Sequence, residues 1–335
     1  MTAASPLLSV SGLTVEFKTR RGAVTANNAL ALEIASGETL GIVGESGSGK
    51  SVLCRALLGL LPSPPATVRA DRILFAGRDL ARASARELRQ VRGQDIAMVF
   101  QNPMSSLNPV WPIGDQVAES LRVHKGVGRA QSRAAAIAVL KRVGIPSPEI
   151  RVDDYPYQWS GGMMQRAVIA MAMVGGPKLL LADEPTTALD VTIQDQILSL
   201  LMELQRETGM AIILVSHDMS VISESCDRVA VMYAGNIVET GSTADIFRRP
   251  AHPYTHGLLR SIPHAHGKVG KLASIPGQPP DLARLPAGCP FAERCAVASA
   301  ECRTHPIALR PIAGDHQTAC LYPERVAELD RRLAS

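Results

Sequence analysis

No stretch of this chain is apolar for long enough to cross a bilayer. The most apolar run, Ala167 to Ala182, is interrupted by Gly175, Gly176, Pro177 and Lys178, and neither piece approaches the roughly 20 residues of a transmembrane helix. The opening residues, MTAASPLLSVSGL, carry no basic region, and their apolar stretch is too short for a secretory signal, so a cytosolic location is expected. An excess of one charge is also lacking. A net charge of +4 over 335 residues, with a pI near 8.8, is too mild to point to a nucleic-acid groove or an anionic membrane surface. There is no internal repeat and no low-complexity tract. Cysteine is sparse until late in the chain: Cys54 and Cys226 come first, and the other four lie from Cys289 onward. In the cytosol such thiols stay reduced or serve metals. What the chain does have is 46% hydrophobic residues, enough for one large core or two.

Residues 8–17 and Asn28 to Ala35 alternate apolar and polar positions, as half-buried strands do. TLGIV (39–43) reads as a buried strand that runs into a glycine-rich turn, with a helix starting near Lys50. Short apolar runs at 95–100, 179–183, 211–215 and 228–233 alternate with helical stretches, notably Thr192 to Thr208, which predicts a largely parallel sheet covered by helices. Between the runs at 95–100 and 179–183 the periodicity is helical, as at 131–144, and reads as an inserted helical subdomain. After the turn at 234–236, the short strand IVET and a helix at Ala244 to Arg248 close the core, and proline becomes frequent from Pro250. Cys54 and Cys226 fall in predicted helices as small packing residues.

The run GESGSGKS, Gly44 to Ser51, fits GxxxxGKS between a predicted strand and a predicted helix. Glycines let backbone N–H groups converge on phosphate oxygens, and the helix N-terminus adds partial positive charge. Lys50 is placed to reach the terminal phosphates and Ser51 to ligate magnesium. Gly44, Glu45, Ser46, Gly47, Ser48, Gly49, Lys50 and Ser51, with Val52 just beyond, are the expected nucleotide contacts. LLLADEP (179–185) is an apolar strand ending in two carboxylates, a costly arrangement unless a cation or a reacting water uses them. Asp183 is expected to hold magnesium, and Glu184 to act as base or polariser of the attacking water.

WSGGMMQR, Trp159 to Arg166, resembles the signature of the ABC ATPases, usually written LSGGQ. Ser160 suits a helix cap, and Gly161 and Gly162 leave the helix end open to an anion. The resemblance implies that this end meets the nucleotide of the opposite subunit, so that Ser160, Gly161 and Gly162 act in trans. It also implies an α/β fold: a P-loop NTPase (RecA-like) core with an antiparallel β subdomain, an inserted helical ABC subdomain and a small C-terminal cysteine-bearing segment. The corresponding spans are 1–101 with 176–245, 102–175, and 246–335. By the same resemblance, Gln101 is the Q-loop glutamine that touches magnesium and water, Thr187 to Asp190 form the D-loop, and His217 is the switch histidine. Phe17 stands where the family often stacks an aromatic ring on adenine, although a strand phenylalanine is also ordinary core. The resemblance spans roughly residues 8–270; its departures are Trp159 and Met163, where leucine and glutamine are commonest. With Glu184 and His217 both present, ATP hydrolysis is expected, with ATP and Mg2+ as cofactors.

QNPMSSLNPVW (101–111), the run at 182–194 and RRPAHPYTHGLL (248–259) resemble the ATPase subunits of oligopeptide and dipeptide importers, a group that also imports nickel and glutathione. The resemblance implies a peripheral location on the cytoplasmic face of the inner membrane. The implied partners are two membrane-spanning permease subunits, a second ATPase chain, identical or homologous, and indirectly an extracytoplasmic binding protein. Asn102 to Gln116 would dock the membrane subunits, and no nucleic acid is implied. The rival from another class is a soluble ABC ATPase acting on ribosomes or DNA; such proteins usually fuse two cassettes or carry a long coiled coil, and this chain does neither.

Cys289, Cys295, Cys302 and Cys320 are separated by five, six and seventeen residues, in a segment poor at building a core. Four thiolates suit tetrahedral zinc or an iron-sulfur cluster, but zinc sites usually pair cysteines about two to four residues apart, and no such pair is present. The resemblance to peptide-importer subunits, some of which carry a [4Fe-4S] cluster here, favours the cluster over zinc, free thiols or disulfides.

Overall fold

The structure is a computed structural model that describes residues 5–20, 22–187, 189–262, 274–306, 308–326 and 329. Its strands run in chain order β1 (Leu8–Thr19), β2 (Gly22–Ile34), β3 (Thr39–Val43), β4 (Ala66–Arg69), β5 (Arg72–Phe75), β6 (Arg78–Asp79), β7 (Ile96–Val99), β8 (Leu179–Asp183), β9 (Ala211–Ser216), β10 (Arg228–Tyr233), β11 (Asn236–Ser242), β12 (Arg310–Ala313) and β13 (His316–Thr318). The chain divides into two compact units, one of residues 1–34, 39–81 and 216–335 and the other of 35–38 and 82–215.

The first unit holds an antiparallel sheet of order β2-β1-β5-β6, with β4 also on β1. It also holds the run β12-β13-β11-β10-β3, in which β10 and β3 are parallel and the other pairs antiparallel. All five residues of β3 are buried, as a parallel strand covered on both faces requires. The strands expected at 8–17, 28–35, 39–43, 228–233 and IVET are all present; β4, β5 and β6, of four, four and two residues, are too short for a period to be read. The helix Thr243–Arg248 starts where Ser242 accepts the Asp245 N–H at 3.1 Å.

The second unit is built on the parallel strands β7, β8 and β9, with β8 buried along its whole length. Among the described residues, no strand interrupts the chain between β7 and β8. Helices Ile113–Lys125, Arg129–Arg142 and Gly161–Met173 fill that interval instead. Helix Val191–Thr208 ends on Gly209, whose φ of +67° makes the left-handed stop that glycine allows. Cys54 lies buried in helix Lys50–Leu57, but Cys226 falls one residue beyond helix Met219–Ser225, at its cap. No helix among the described residues is long and apolar enough to cross a membrane.

Candidate functional site

In the first unit β3 delivers the chain to a loop shaped by glycine. Gly44 has φ +153°, and a Cβ there would lie 2.1 Å from the Met232 carbonyl oxygen. Gly49, at φ +101°, caps helix Lys50–Leu57, and a Cβ there would sit 2.3 Å from the Ala26 oxygen. Asn27 Nδ2 donates to Gly49 O at 3.1 Å, and the Gly235 N–H donates to Ser48 O at 3.0 Å, so β2 and the turn between β10 and β11 brace the loop. Lys50, almost wholly buried, folds its ammonium onto Gly44 O (2.7 Å) and Glu45 O (3.1 Å). The Ser48 hydroxyl is buried with no hydrogen-bond partner, while Ser46 and Gly47 are exposed at the tip and Ser51 and Val52 half-buried on the helix. Such a cradle, closed to a Cβ at Gly44 and Gly49 and holding an ammonium and an unsatisfied hydroxyl, fits a polyphosphate. Phe17 is half-buried on β1, opposite Val24 and Ala66. His217 lies exposed just after β9, followed by Asp218, which caps the next helix through the Ser220 N–H.

In the second unit Asp183 ends β8 and is 1% exposed. Glu184 follows with φ +47°, a left-handed backbone that is strained for a glutamate. Its N–H donates to Val215 O at 3.1 Å, and its Oε2 accepts from Gln101 Nε2 at 2.9 Å and Thr187 Oγ1 at 2.8 Å. Gln101 and Glu184, expected to act together, are in direct contact. In the segment expected to form the D-loop the Leu189 N–H donates to Thr186 O at 3.1 Å, while Ala188 lies outside the described residues. Ser160 caps helix Gly161–Met173, accepting the Met163 N–H at 3.4 Å. Trp159 is buried, and its indole N–H donates to Asp154 at 3.0 Å. In the segment 102–116, Met104, Val110 and Trp111 are 70%, 73% and 48% exposed, an apolar surface on a short, irregular stretch.

The His-Pro-Tyr segment, read in the sequence only as a diagnostic string before proline-rich chain, begins a helix. His252 Nδ1 accepts the Tyr254 N–H at 3.1 Å, and Pro253 opens the helix Pro253–Arg260. Buried Glu239 accepts the Ala251 and His252 N–H groups and pairs with His316 at 2.8 Å, tying this helix to β13. Tyr254 is fully buried, its hydroxyl accepting the Glu45 N–H at 2.7 Å, and Arg294 meets the Glu45 carboxylate. Arg294 belongs to no local motif.

Cys289, Cys295, Cys302 and Cys320 line one small cavity together with His252 and Phe291. Burial pushes the Cys289 thiol up to about 11 and the Cys320 thiol up to about 12, and their neighbouring cysteines add to both shifts. Among the described residues, however, no set of three or more histidine, cysteine or carboxylate side chains converges closely enough to hold a metal ion as it stands. The expected metal site is therefore met only in the gathering of its cysteines.

Residues 27–187 match the ABC transporter family, and residues 238–302 match the oligopeptide/dipeptide transporter C-terminal region. The dipeptide transport ATP-binding protein DppD of Bacillus subtilis is 51% identical over 289 residues, covering 86% of each chain. DppD of Escherichia coli is 46% identical over 317 residues, which is 95% of this chain and 97% of that one. Among solved structures, the ATP-binding cassette MJ0796, a dimer bound to ADP and Pi, is similar with a TM-score of 0.63 and 26% identity, covering 70% of this chain and 98% of that one. CbiO1 of Clostridium perfringens, part of the transporter complex cbiONQ, is similar with a TM-score of 0.61 and 30% identity, covering 73% and 91%. The chain belongs to the ABC transporter family of ATP-binding proteins, in the branch that carries the oligopeptide/dipeptide transporter C-terminal region.

Proposed function

We propose that this chain is the ATP-hydrolysing subunit of an importer of dipeptides or oligopeptides, working at the cytoplasmic face of the membrane beneath two permease subunits. The observation that carries hydrolysis is the Glu184 carboxylate, fixed at the end of β8 by Gln101 and Thr187 on a backbone no ordinary strand end adopts. Peptide as cargo is supported by the C-terminal region at 238–302 and by relatives named for dipeptide transport. A soluble ATPase acting on ribosomes or DNA would leave that region unexplained.

In this reading the loop Gly44–Ser51, with Val52, holds the phosphates, and Lys50 leaves its loop carbonyls to meet the terminal ones. Phe17 stacks on the adenine. Magnesium, which prefers oxygen ligands and bound phosphate, would be held by Ser51, Gln101 and Asp183, and it would neutralise charge developing on the phosphates. Glu184 orients and polarises the attacking water, and His217 steadies the terminal phosphate. Ser160, Gly161 and Gly162 cap the nucleotide of a second ATPase subunit, identical or homologous, across a sandwich for which the dimeric MJ0796 is the precedent. The exposed Met104, Val110 and Trp111 suit docking on the permease, and an extracytoplasmic binding protein would deliver the solute. The domain division 1–101 with 176–245, 102–175 and 246–335 belongs to the same proposal.

The tail cysteines suit a [4Fe-4S] cluster better than zinc. No two of the four are separated by only two to four residues, as the cysteine pairs of zinc sites usually are, and all four line one cavity. Bound, it would staple a segment with few regular elements. An absorption band near about 400 nm in anaerobic protein supports the cluster, and stoichiometric zinc in colourless protein removes it. For hydrolysis, Glu184→Gln should lower turnover at least ~100-fold and trap ATP in a dimer; undiminished turnover would sink the role of Glu184.

A further inference from the structure

Glu45 is an awkward residue for a phosphate-binding loop, because its carboxylate brings negative charge to a place built for anions. The structure answers that charge from the tail. Arg294 meets it with a two-pronged pair, Nη1 to Oε2 at 2.7 Å and Nη2 to Oε1 at 3.0 Å. The other Arg294 donors are also used: Nη1 to the Tyr233 hydroxyl (3.2 Å), Nη2 to Ile275 O (3.3 Å) and Nε to Pro276 O (2.8 Å). All five guanidinium N–H groups thus have acceptors. The Arg294 side chain is 6% exposed and the Glu45 side chain 26%. An open surface ion pair contributes little, whereas a forked, largely desolvated one is directional and strong.

The socket around the pair is aromatic. The guanidinium lies 5.8 Å from the Tyr233 ring centre and 5.7 Å from that of Phe291, and Tyr254 packs on both rings. Tyr254 also takes the Glu45 N–H, so backbone and side chain of one loop residue are both gripped by chain beyond residue 250. Arg294 directly precedes Cys295 of the four-cysteine cavity. We propose that Arg294 is a positioning residue of the nucleotide site: from the tail it neutralises and fixes Glu45, so that the phosphate loop is preformed and free of unpaired negative charge when a nucleoside triphosphate arrives. The inference rests on the reading of Gly44–Ser51 as the ATP loop. It makes the folding of the cysteine tail and the affinity for ATP two sides of one linkage.

The test measures MgATP affinity on the full-length chain by calorimetry, and KM and kcat on the assembled transporter. Arg294→Met should raise the dissociation constant and KM about tenfold, because an unpaired carboxylate then faces the phosphates and the competent loop is only partly populated. kcat should change less than about twofold, since at saturation the bound triphosphate itself holds the loop. Adding Glu45→Gln to Arg294→Met removes the unpaired charge and should bring the dissociation constant back to within about threefold of wild type. An unchanged affinity in Arg294→Met overturns the proposal, and so does a double variant as weak as the single one, since the loss would then come from the tail alone. If Arg294→Met gives no cooperative thermal transition, Arg294→Gln, which keeps a donor but not the charge, takes its place with the same two expectations. Lys50→Ala separates the two readings: ATP affinity that survives in Lys50→Ala removes the nucleotide loop itself, whereas affinity lost there but untouched in Arg294→Met removes only the role of Arg294.

Discussion

The glycine loop 44–49 and the cysteine tail are both irregular chain within one compact unit, and they keep their shape by different means. In the loop the backbone decides: Gly44 and Gly49 take conformations and approaches that exclude a Cβ, and the Gly235 N–H and the Asn27 amide brace what lies between. In the tail the regular pieces are short, Glu301–Thr304, β12, β13 and Pro323–Arg325, and side chains decide. Arg294 uses five donors, Val297, Val326 and Leu329 form a small apolar cluster, and four cysteines share a cavity. A backbone-shaped segment tolerates little at a few glycines and much elsewhere, whereas a side-chain-shaped one depends on a few long-range contacts.

The largest expected effect breaks the backbone side of that contrast. Gly49→Ala forces a left-handed alanine and sets its Cβ 2.3 Å from a backbone oxygen that cannot swing away. ATP affinity should fall at least ~100-fold, on the order of 3 kcal/mol, in a protein that still melts cooperatively. Affinity within a few fold of wild type would mean that side chains shape the loop after all. The next effect breaks the tail: removing the proposed cluster with a chelator and reductant should lower the melting midpoint by roughly 5 °C, on the order of 2 kcal/mol, and weaken ATP binding with it. A midpoint that does not move would show that the apolar contacts of the tail suffice.

The same difference explains what was legible in the sequence. Glycine spacing, the strand before it and the paired acids at the end of β8 are local, so the loop Gly44–Ser51, Asp183 and Glu184 stand out in the string as candidates. Arg294 meets Glu45 across 249 residues of chain, a separation no local pattern encodes. Pro253 reads as a break but stands at the first helical position, where proline starts helices. Strand β12 is exposed along its length, so burial left no alternation to detect.

A smaller effect sharpens the link between the regions. Tyr254→Phe keeps the ring packing on Tyr233 and Phe291 but removes the acceptor of the Glu45 N–H. Leaving that donor unpaired should cost about 1 kcal/mol of stability and raise the ATP dissociation constant about threefold, measured by thermal melts and calorimetry. An unchanged affinity would leave Arg294 as the sole tail contact that matters to the loop.

The smallest effect on function lies in the second unit, where Trp159 replaces the leucine commonest before the Ser-Gly-Gly core. The indole is 5% exposed and its N–H donates to Asp154, so this tryptophan packs and anchors the chain entering helix Gly161–Met173. Trp159→Leu therefore removes one hydrogen bond and some buried ring area but leaves the Ser160 cap, which is made by the serine oxygen and the Met163 N–H. Stability should drop by about 1–2 kcal/mol while turnover per folded transporter stays within about twofold. Ser160→Ala supplies the contrast: it costs a similar ~1 kcal/mol through the lost cap, yet it also removes a group proposed to face the partner's nucleotide. Turnover should then fall well beyond what the stability loss explains, and equal turnover in the two variants would strip Ser160 of that role.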